Sequence, residues 1–107
     1  MVLIAVGQKA PDVALMTDAG EAFRLSEQRG SPVVLFFYPE DDTEGCTIEN
    51  IEFSRLMPEF AAIGAKVVGI SPDSVERHCK FRDKHGLTVT LAADPNLKAT
   101  KAYGAWG

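Results

Sequence analysis

The chain carries two cysteines, Cys46 and Cys79, and the residues just ahead of the first are the ones that suggest chemistry. Pro39, Thr43 and Cys46 have the spacing P-x-x-x-T-x-x-C. A thiol is a nucleophile only as the thiolate, and the free amides and dipole of a helix amino terminus favour an anion. Cys46 follows a short loop after the apolar segment 33–38 and opens a stretch of helical periodicity, so it is the better reactive candidate of the two. Glu40, Asp41, Asp42 and Glu44 crowd the same loop, and nearby carboxylates disfavour a further negative charge. They must face solvent or be balanced. A balancing cation is expected at the sulfur, with Arg55 and Arg82 as distant candidates. Position alone leaves bland readings open: Cys46 as buried filler, Thr43 as a turn hydroxyl, Pro39 as a strand terminator, Glu49 as a first-turn partner of the helix dipole.

The elements that must position these residues follow from periodicity and punctuation. Residues 13–16 and 22–25 flank the turn signal at 18–20 and predict a small hairpin, after which Ser26 caps one helical turn before Gly30. Residues 33–38 are a continuous β-branched, aromatic and leucine run closed by Pro39, the pattern of a central parallel strand buried on both faces. Phe53, Leu56, Met57, Phe60 and Ile63 recur at helical spacing, so a helix runs from near Cys46 to a cap at Gly64. Residues 66–70 form a second apolar strand; Asp73 and Glu76 have capping-box spacing for a helix through about Lys84, stopped by Gly86. Residues 88–92 read as a third strand, and Asp94-Pro95 starts a short helix ending at Gly104. Alternating strands and helices imply right-handed crossovers and an α/β sheet.

The 107 residues, free of repeats and linkers, predict one domain, and 46% apolar against 24% charged residues is ordinary globular composition. A net charge of −4 without a basic run argues against nucleic acid and anionic membranes, which need clustered cations. The apolar runs 2–6 and 33–38 are far short of a bilayer span, so the expected location is the cytoplasm. Two cysteines exclude both a disulfide-stapled scaffold and a four-cysteine zinc cage. Cys79, His78 and His85 do not converge as metal ligands, because adjacent helical residues diverge by about 100°; surface histidines are expected, with no metal.

The string FFYPEDDTEGCT at 36–47 resembles the peroxidatic loop of peroxiredoxins of the bacterioferritin-comigratory-protein (peroxiredoxin Q) subfamily. So do GQKAPD at 7–12, GISPDSVE at 69–76 and LAADPNLKATKAYGAWG at 91–107, so that the likeness covers essentially the whole chain. It implies a thioredoxin-like fold without organic cofactor, in which Cys46 is the peroxidatic cysteine that attacks a peroxide and becomes a sulfenic acid. By the same resemblance the Thr43 hydroxyl bonds the thiolate and the incoming peroxide, Pro39 shields Cys46 from water, and Glu49 orients an active-site arginine. Hydrogen peroxide and small organic hydroperoxides are the implied substrates, and thioredoxin or another dithiol is the implied reductant.

There are two departures from the family pattern. Many members carry a resolving cysteine five residues after the peroxidatic one, where this chain has Ile51. Others place it on the helix of Cys79, about one turn later, leaving three readings open: Cys79 resolves Cys46 after local unwinding, it is a core cysteine sharing a face with Val75, or an external thiol reduces Cys46 directly. Second, family members continue beyond Trp106 through further strands, a helix and the loop that supplies the arginine. The chain therefore reads as one partial domain lacking the C-terminal strands and helix, with 33–38 left as an open apolar edge. It is expected to be a monomer or a weakly associating homo-oligomer. A thioredoxin-type oxidoreductase is disfavoured because the Cys-x-x-Cys position is Glu49, whereas a chaperone-like protein on the same scaffold remains the non-enzymatic alternative.

Overall fold

The computed structural model describes residues 10–28 and 30–104. The apolar run at 2–6, the first residues of the segment at 7–12 and Trp106 lie outside the described residues. Strands β1 (Ala14–Thr17) and β2 (Ala22–Arg24) form the expected hairpin, with Gly20 at φ 76° in its turn, a left-handed value that glycine adopts without steric cost. A 3-10 turn, Leu25–Gln28, follows; the backbone amide of Ser26 donates to Asp12 Oδ1 at 2.9 Å. This bond is the chief reason the Asp12 carboxyl lies below its ordinary pKa.

Next come β3 (Val33–Phe37), α1 (Glu44–Ala62), β4 (Lys66–Ser71), α2 (Val75–His85), β5 (Thr90–Ala93) and α3 (Lys98–Ala102). The sheet order is β2-β1-β5-β4-β3, with β3, β4 and β5 parallel and β1 antiparallel to both its neighbours. Because β3, β4 and β5 step across the sheet in one direction, crossovers of one hand place α1 and α2 on the same face. One buried cluster, including Phe36, Val67, Leu91 and Phe81, lies beneath those helices; the other, including Phe23, Val68, Ile70, Ala92 and Ala99, lies on the α3 face. Adjacent residues of β3 and β4 divide between the two clusters, which is why both strands read as continuous apolar runs.

The expected open edge is present: among the described residues β3 pairs with β4 alone, and four of its five residues are half-buried. Its composition reflects two covered faces, a property independent of how many strands flank it. Ser74, not Asp73, caps α2: its hydroxyl accepts from the Arg77 amide at 3.2 Å, while Asp73 turns inward. His78 is fully buried rather than a surface histidine.

Two local arrangements seat α1. Gly69 is opposite Phe36, and a Cβ there would come within 2.5 Å of the Phe36 ring, which stacks on Phe53 of α1 at 4.2 Å. Pro58 lies inside the helix and has no amide to donate to the carbonyl four residues back. That carbonyl, of Ser54, instead accepts from the Thr88 hydroxyl at 3.1 Å, and the Ser54 hydroxyl accepts from the amides of Thr88 and Val89.

Candidate active site

Cys46 is in the first turn of α1, just beyond the carboxyl end of β3, and is 8% exposed within the cluster of Phe36, Tyr38 and Phe81. Open α/β sheets bind ligands at this end of their strands, and the helix start directs unpaired amides toward an anion. Thr43 is the N-cap, with the extended backbone that the position requires. Its hydroxyl makes no capping bond; it donates to the Glu40 carbonyl at 3.3 Å. The hydroxyl oxygen of Thr43 therefore keeps its acceptor capacity at the helix start. Pro39 is exposed at the loop entrance, and the structure buries Cys46 chiefly among ring and aliphatic side chains.

Among the described residues the acidic loop is balanced from α2 and not by an arginine at the sulfur. Asp42 is at φ 62°, a strained left-handed value for a non-glycine residue; it is held by Lys84 Nζ at 2.6 Å and His85 Nε2 at 2.9 Å. The Lys84 bond, then the His85 bond, lower its carboxyl pKa from the ordinary value. Glu40 lies 3.9 Å from Arg77, which also reaches Asp73 at 3.3 Å. Arg55 pairs with Glu52, and Arg82 pairs with Asp18 and Asp83, so the two expected candidates are engaged elsewhere. Each arginine among the described residues is within ion-pair distance of a carboxylate.

Asp41 turns the other way and is only 3% exposed. Its Oδ1 accepts from the Tyr38 hydroxyl at 2.6 Å, and its backbone amide donates to Asp73 Oδ2 at 2.7 Å. Ser71 Oγ donates to the same Asp73 oxygen at 2.7 Å. His78 Nδ1 lies 2.7 Å from Asp41 Oδ2, and His78 Nε2 lies 3.1 Å from the Ala92 carbonyl oxygen. Asp41 Oδ2 nonetheless accepts no aligned hydrogen bond, so the approach of the imidazole is an electrostatic contact off the bonding axis. Burial first, then the bond to Asp41, pushes the Tyr38 hydroxyl far above the ordinary tyrosine pKa, which keeps it a donor.

Periodicity alone did not single out this network. Its signals were the pairing of Asp41 with an apolar-flanked Tyr38 and a histidine one residue before Cys79. A second missed residue is Asn50, fully buried one turn after Cys46; its Nδ2 donates to the Cys46 carbonyl at 2.9 Å and its Oδ1 has no partner.

Glu49 is exposed beside a groove of about 370 Å³ on α1, lined by Gly45, Ile48, Glu49, Glu52, Phe53 and Leu56. Its carboxylate makes no hydrogen bond or ion pair among the described residues. Cys79 is half-buried on α2, its thiol donating to the Asp18 carbonyl at 3.2 Å, and both thiols are free. Among the described residues no group of three or more His, Cys, Asp or Glu side chains could hold a metal, and no helix is long and apolar enough to cross a membrane.

The chain is 45% identical to the peroxiredoxin Bcp of Bacillus subtilis over 103 residues, covering 96% of this chain and 66% of that protein. Its structure resembles peroxidoxin BcpB of Mycobacterium tuberculosis, with a TM-score of 0.84 and 37% identity over 92% of this chain and 64% of that one. It also resembles the bacterioferritin comigratory protein of Xanthomonas campestris, studied for alkyl peroxide reduction, with a TM-score of 0.83 and 36% identity over 86% of this chain and 59% of that one. These neighbours establish the thioredoxin-like peroxiredoxin fold expected from the sequence. The chain spans about two thirds of the length of the Bacillus relative. The match to the AhpC/TSA family covers residues 6–107, and the chain belongs to that family.

Proposed function

We propose that this chain carries the peroxide-reducing site of a thiol-dependent peroxidase of the Bcp and peroxiredoxin Q kind. The observation that supports this most directly is the placement of Cys46 in the first turn of α1, behind a Thr43 whose hydroxyl is not used in capping. In this reading the Cys46 thiolate attacks one oxygen of a hydroperoxide. A sulfur–oxygen bond forms, the O–O bond breaks, and the other oxygen leaves as an alcohol or water after taking a proton from solvent. The sulfur is oxidised to a sulfenic acid and the peroxide is reduced. Thr43 serves the peroxide as a hydrogen-bond partner, Pro39 closes the loop entrance, and Glu49 awaits a cation from outside the described residues.

A thiol then attacks the sulfenic sulfur, forming a disulfide and releasing water, and a dithiol such as thioredoxin supplies the two electrons that reduce it. Cys79 is one candidate for that thiol, and an external thiol is the other. Hydrogen peroxide and organic hydroperoxides are the proposed substrates, residues 1–107 the proposed single partial domain, and the cytoplasm the proposed setting. A net charge of −4 supports leaving nucleic acid and membrane surfaces out of the proposal, and a monomer or weak homo-oligomer is the proposed state.

One equivalent of hydrogen peroxide, followed by intact mass with and without dimedone, tests the reading. A dimedone adduct on the Cys46 peptide supports the sulfenic acid and an external thiol. Loss of two protons with a linked Cys46–Cys79 peptide supports Cys79 as resolver. An unchanged mass would falsify the proposal for this chain.

A further inference from the structure

His78 is unusual in being fully buried on α2 while both its ring nitrogens face oxygen. The Ala92 carbonyl can only accept, so Nε2 carries a hydrogen. A neutral imidazole of that tautomer would present a lone pair at Nδ1. Against an ionised Asp41 Oδ2 at 2.7 Å, two electron-rich atoms would face each other away from solvent. A proton on Nδ1 or on Oδ2 relieves that repulsion, even though the two atoms meet off the hydrogen-bonding axis. With it the buried pair is neutral overall, whether as imidazolium and carboxylate or as imidazole and carboxylic acid. Other charged or titratable groups at the pair are Tyr38 on Asp41 Oδ1, Asp73 on the Asp41 amide, and Arg77 on Asp73.

Asp41 belongs to the loop between β3 and α1 that also holds Pro39 and Thr43, and among the described residues its carboxylate meets the buried side chains of Tyr38 and His78. Apart from the Tyr38 amide, which donates to the Ile70 carbonyl of β4, the further ties on that loop from other elements among the described residues come from α2 or the turn before it: Asp42 to Lys84 and His85, Glu40 to Arg77, and the Asp41 amide to Asp73. The helix that grips the loop is the helix of Cys79.

We propose that His78 is a positioning residue for the Cys46 site: by neutralising Asp41 inside the fold it fixes the 39–43 loop, and with it Pro39, Thr43 and the first turn of α1, onto the helix that carries Cys79. This rests on the peroxidase reading for its chemistry, but the loop's attachment does not. Loss of either partner leaves a buried polar group unmatched or a hole under the loop, so Thr43 and Cys46 drift out of register while the sheet stays folded.

Asp41→Asn is the discriminating variant. The amide nitrogen can donate to Nδ1 of neutral His78 while the amide oxygen still accepts from Tyr38, so the network stays satisfied without charge. Asp41→Ala, His78→Phe and the mild Tyr38→Phe each remove a partner. Amide hydrogen exchange at residues 40–47, compared with β4 amides in the same sample, reads the loop directly. Asp41→Ala or Tyr38→Phe should raise loop exchange about tenfold or more without changing β4, and Asp41→Asn should leave it near wild type.

The rate of Cys46 oxidation by hydrogen peroxide should fall about tenfold or more in the same variants, with Asp41→Asn rescued and the rate of alkylation by iodoacetamide not reduced. Equal exchange in wild type and Tyr38→Phe, where the fold is least disturbed, would overturn the proposal; so would loss at loop and β4 together, or an Asp41→Asn that behaves like Asp41→Ala. If wild type forms no peroxide adduct, the peroxidase reading fails, and the exchange measurement still decides the loop.

Discussion

The two long helices carry one cysteine each and are held in opposite ways. α2 is capped at both ends, by Ser74 and by Gly86 in the left-handed conformation, and drives His78 and Phe81 fully into the core. α1 has an N-cap threonine that makes no side-chain capping bond, and its ring and aliphatic contacts with the sheet through Phe53, Met57 and Phe60 are only partly buried. Ile48 and Ile51, at 63% and 43% exposure, face outward from the same amino-terminal turns. The thiol proposed to react is thus on the first turn of the helix without a side-chain cap, and the second thiol is on the helix capped at both ends.

The largest effect that would sharpen this contrast is chemical. Cys46→Ser should abolish peroxide consumption, whereas Cys79→Ser should leave the first, stoichiometric oxidation of Cys46 intact; loss of that first step in Cys79→Ser would put the nucleophile on the wrong helix. Next is stability. Phe81→Ala should cost about 3–5 kcal/mol in denaturant unfolding, and Phe53→Ala about 1.5–3 kcal/mol, because the latter ring starts half-exposed. Equal costs would mean that α1 is as firmly docked as α2.

Gly69→Ala forces a methyl against the Phe36 ring and should cost about 1–3 kcal/mol, felt mostly at the Phe36–Phe53 stack; an unchanged midpoint would show that the ring can step aside. Cap removal is smaller: Ser74→Ala should cost about 1 kcal/mol. Thr43→Ala should leave stability nearly unchanged, since no capping bond is lost, while slowing peroxide reduction. A stability loss in Thr43→Ala matching that of Ser74→Ala would remove the asymmetry.

The smallest effect is acid loosening of the loop. Asp42 has its carboxyl pKa lowered in the folded state by Lys84 and His85, so its contribution is present above the unfolded value of about 3.9 and lost as pH falls through the lower folded value. Loop exchange in wild type should rise across that acid window, and Asp42→Asn should flatten the rise. An identical acid limb in the variant would show that these surface ties do not hold the loop.

Much of this was readable along the chain. The hairpin, the three parallel strands, both long helices and the Gly86 stop follow from period and punctuation, and so does the placement of Cys46 at the start of a helix. The errors share one cause. Asp73 looked like a helix cap and His78 like a surface residue because local patterns report what a side chain could do for its own segment. Both instead serve a partner in another segment, the Asp41 amide across 32 residues and the Ala92 carbonyl across 14. Pro58 shows the same principle in reverse, since the helix tolerates it through Thr88, a donor 34 residues from the Ser54 carbonyl.

The sequence by itself determined which residues could form each strand and helix and which thiol opens a helix, because backbone propensity, apolar period and helix-end electrostatics act within a few residues. Only the tertiary structure decided that the acidic loop is neutralised from α2 and that Asp41 and His78 meet in the interior. Those outcomes depend on which distant groups are desolvated together, and a buried charge selects its partner in space, without regard to distance along the chain.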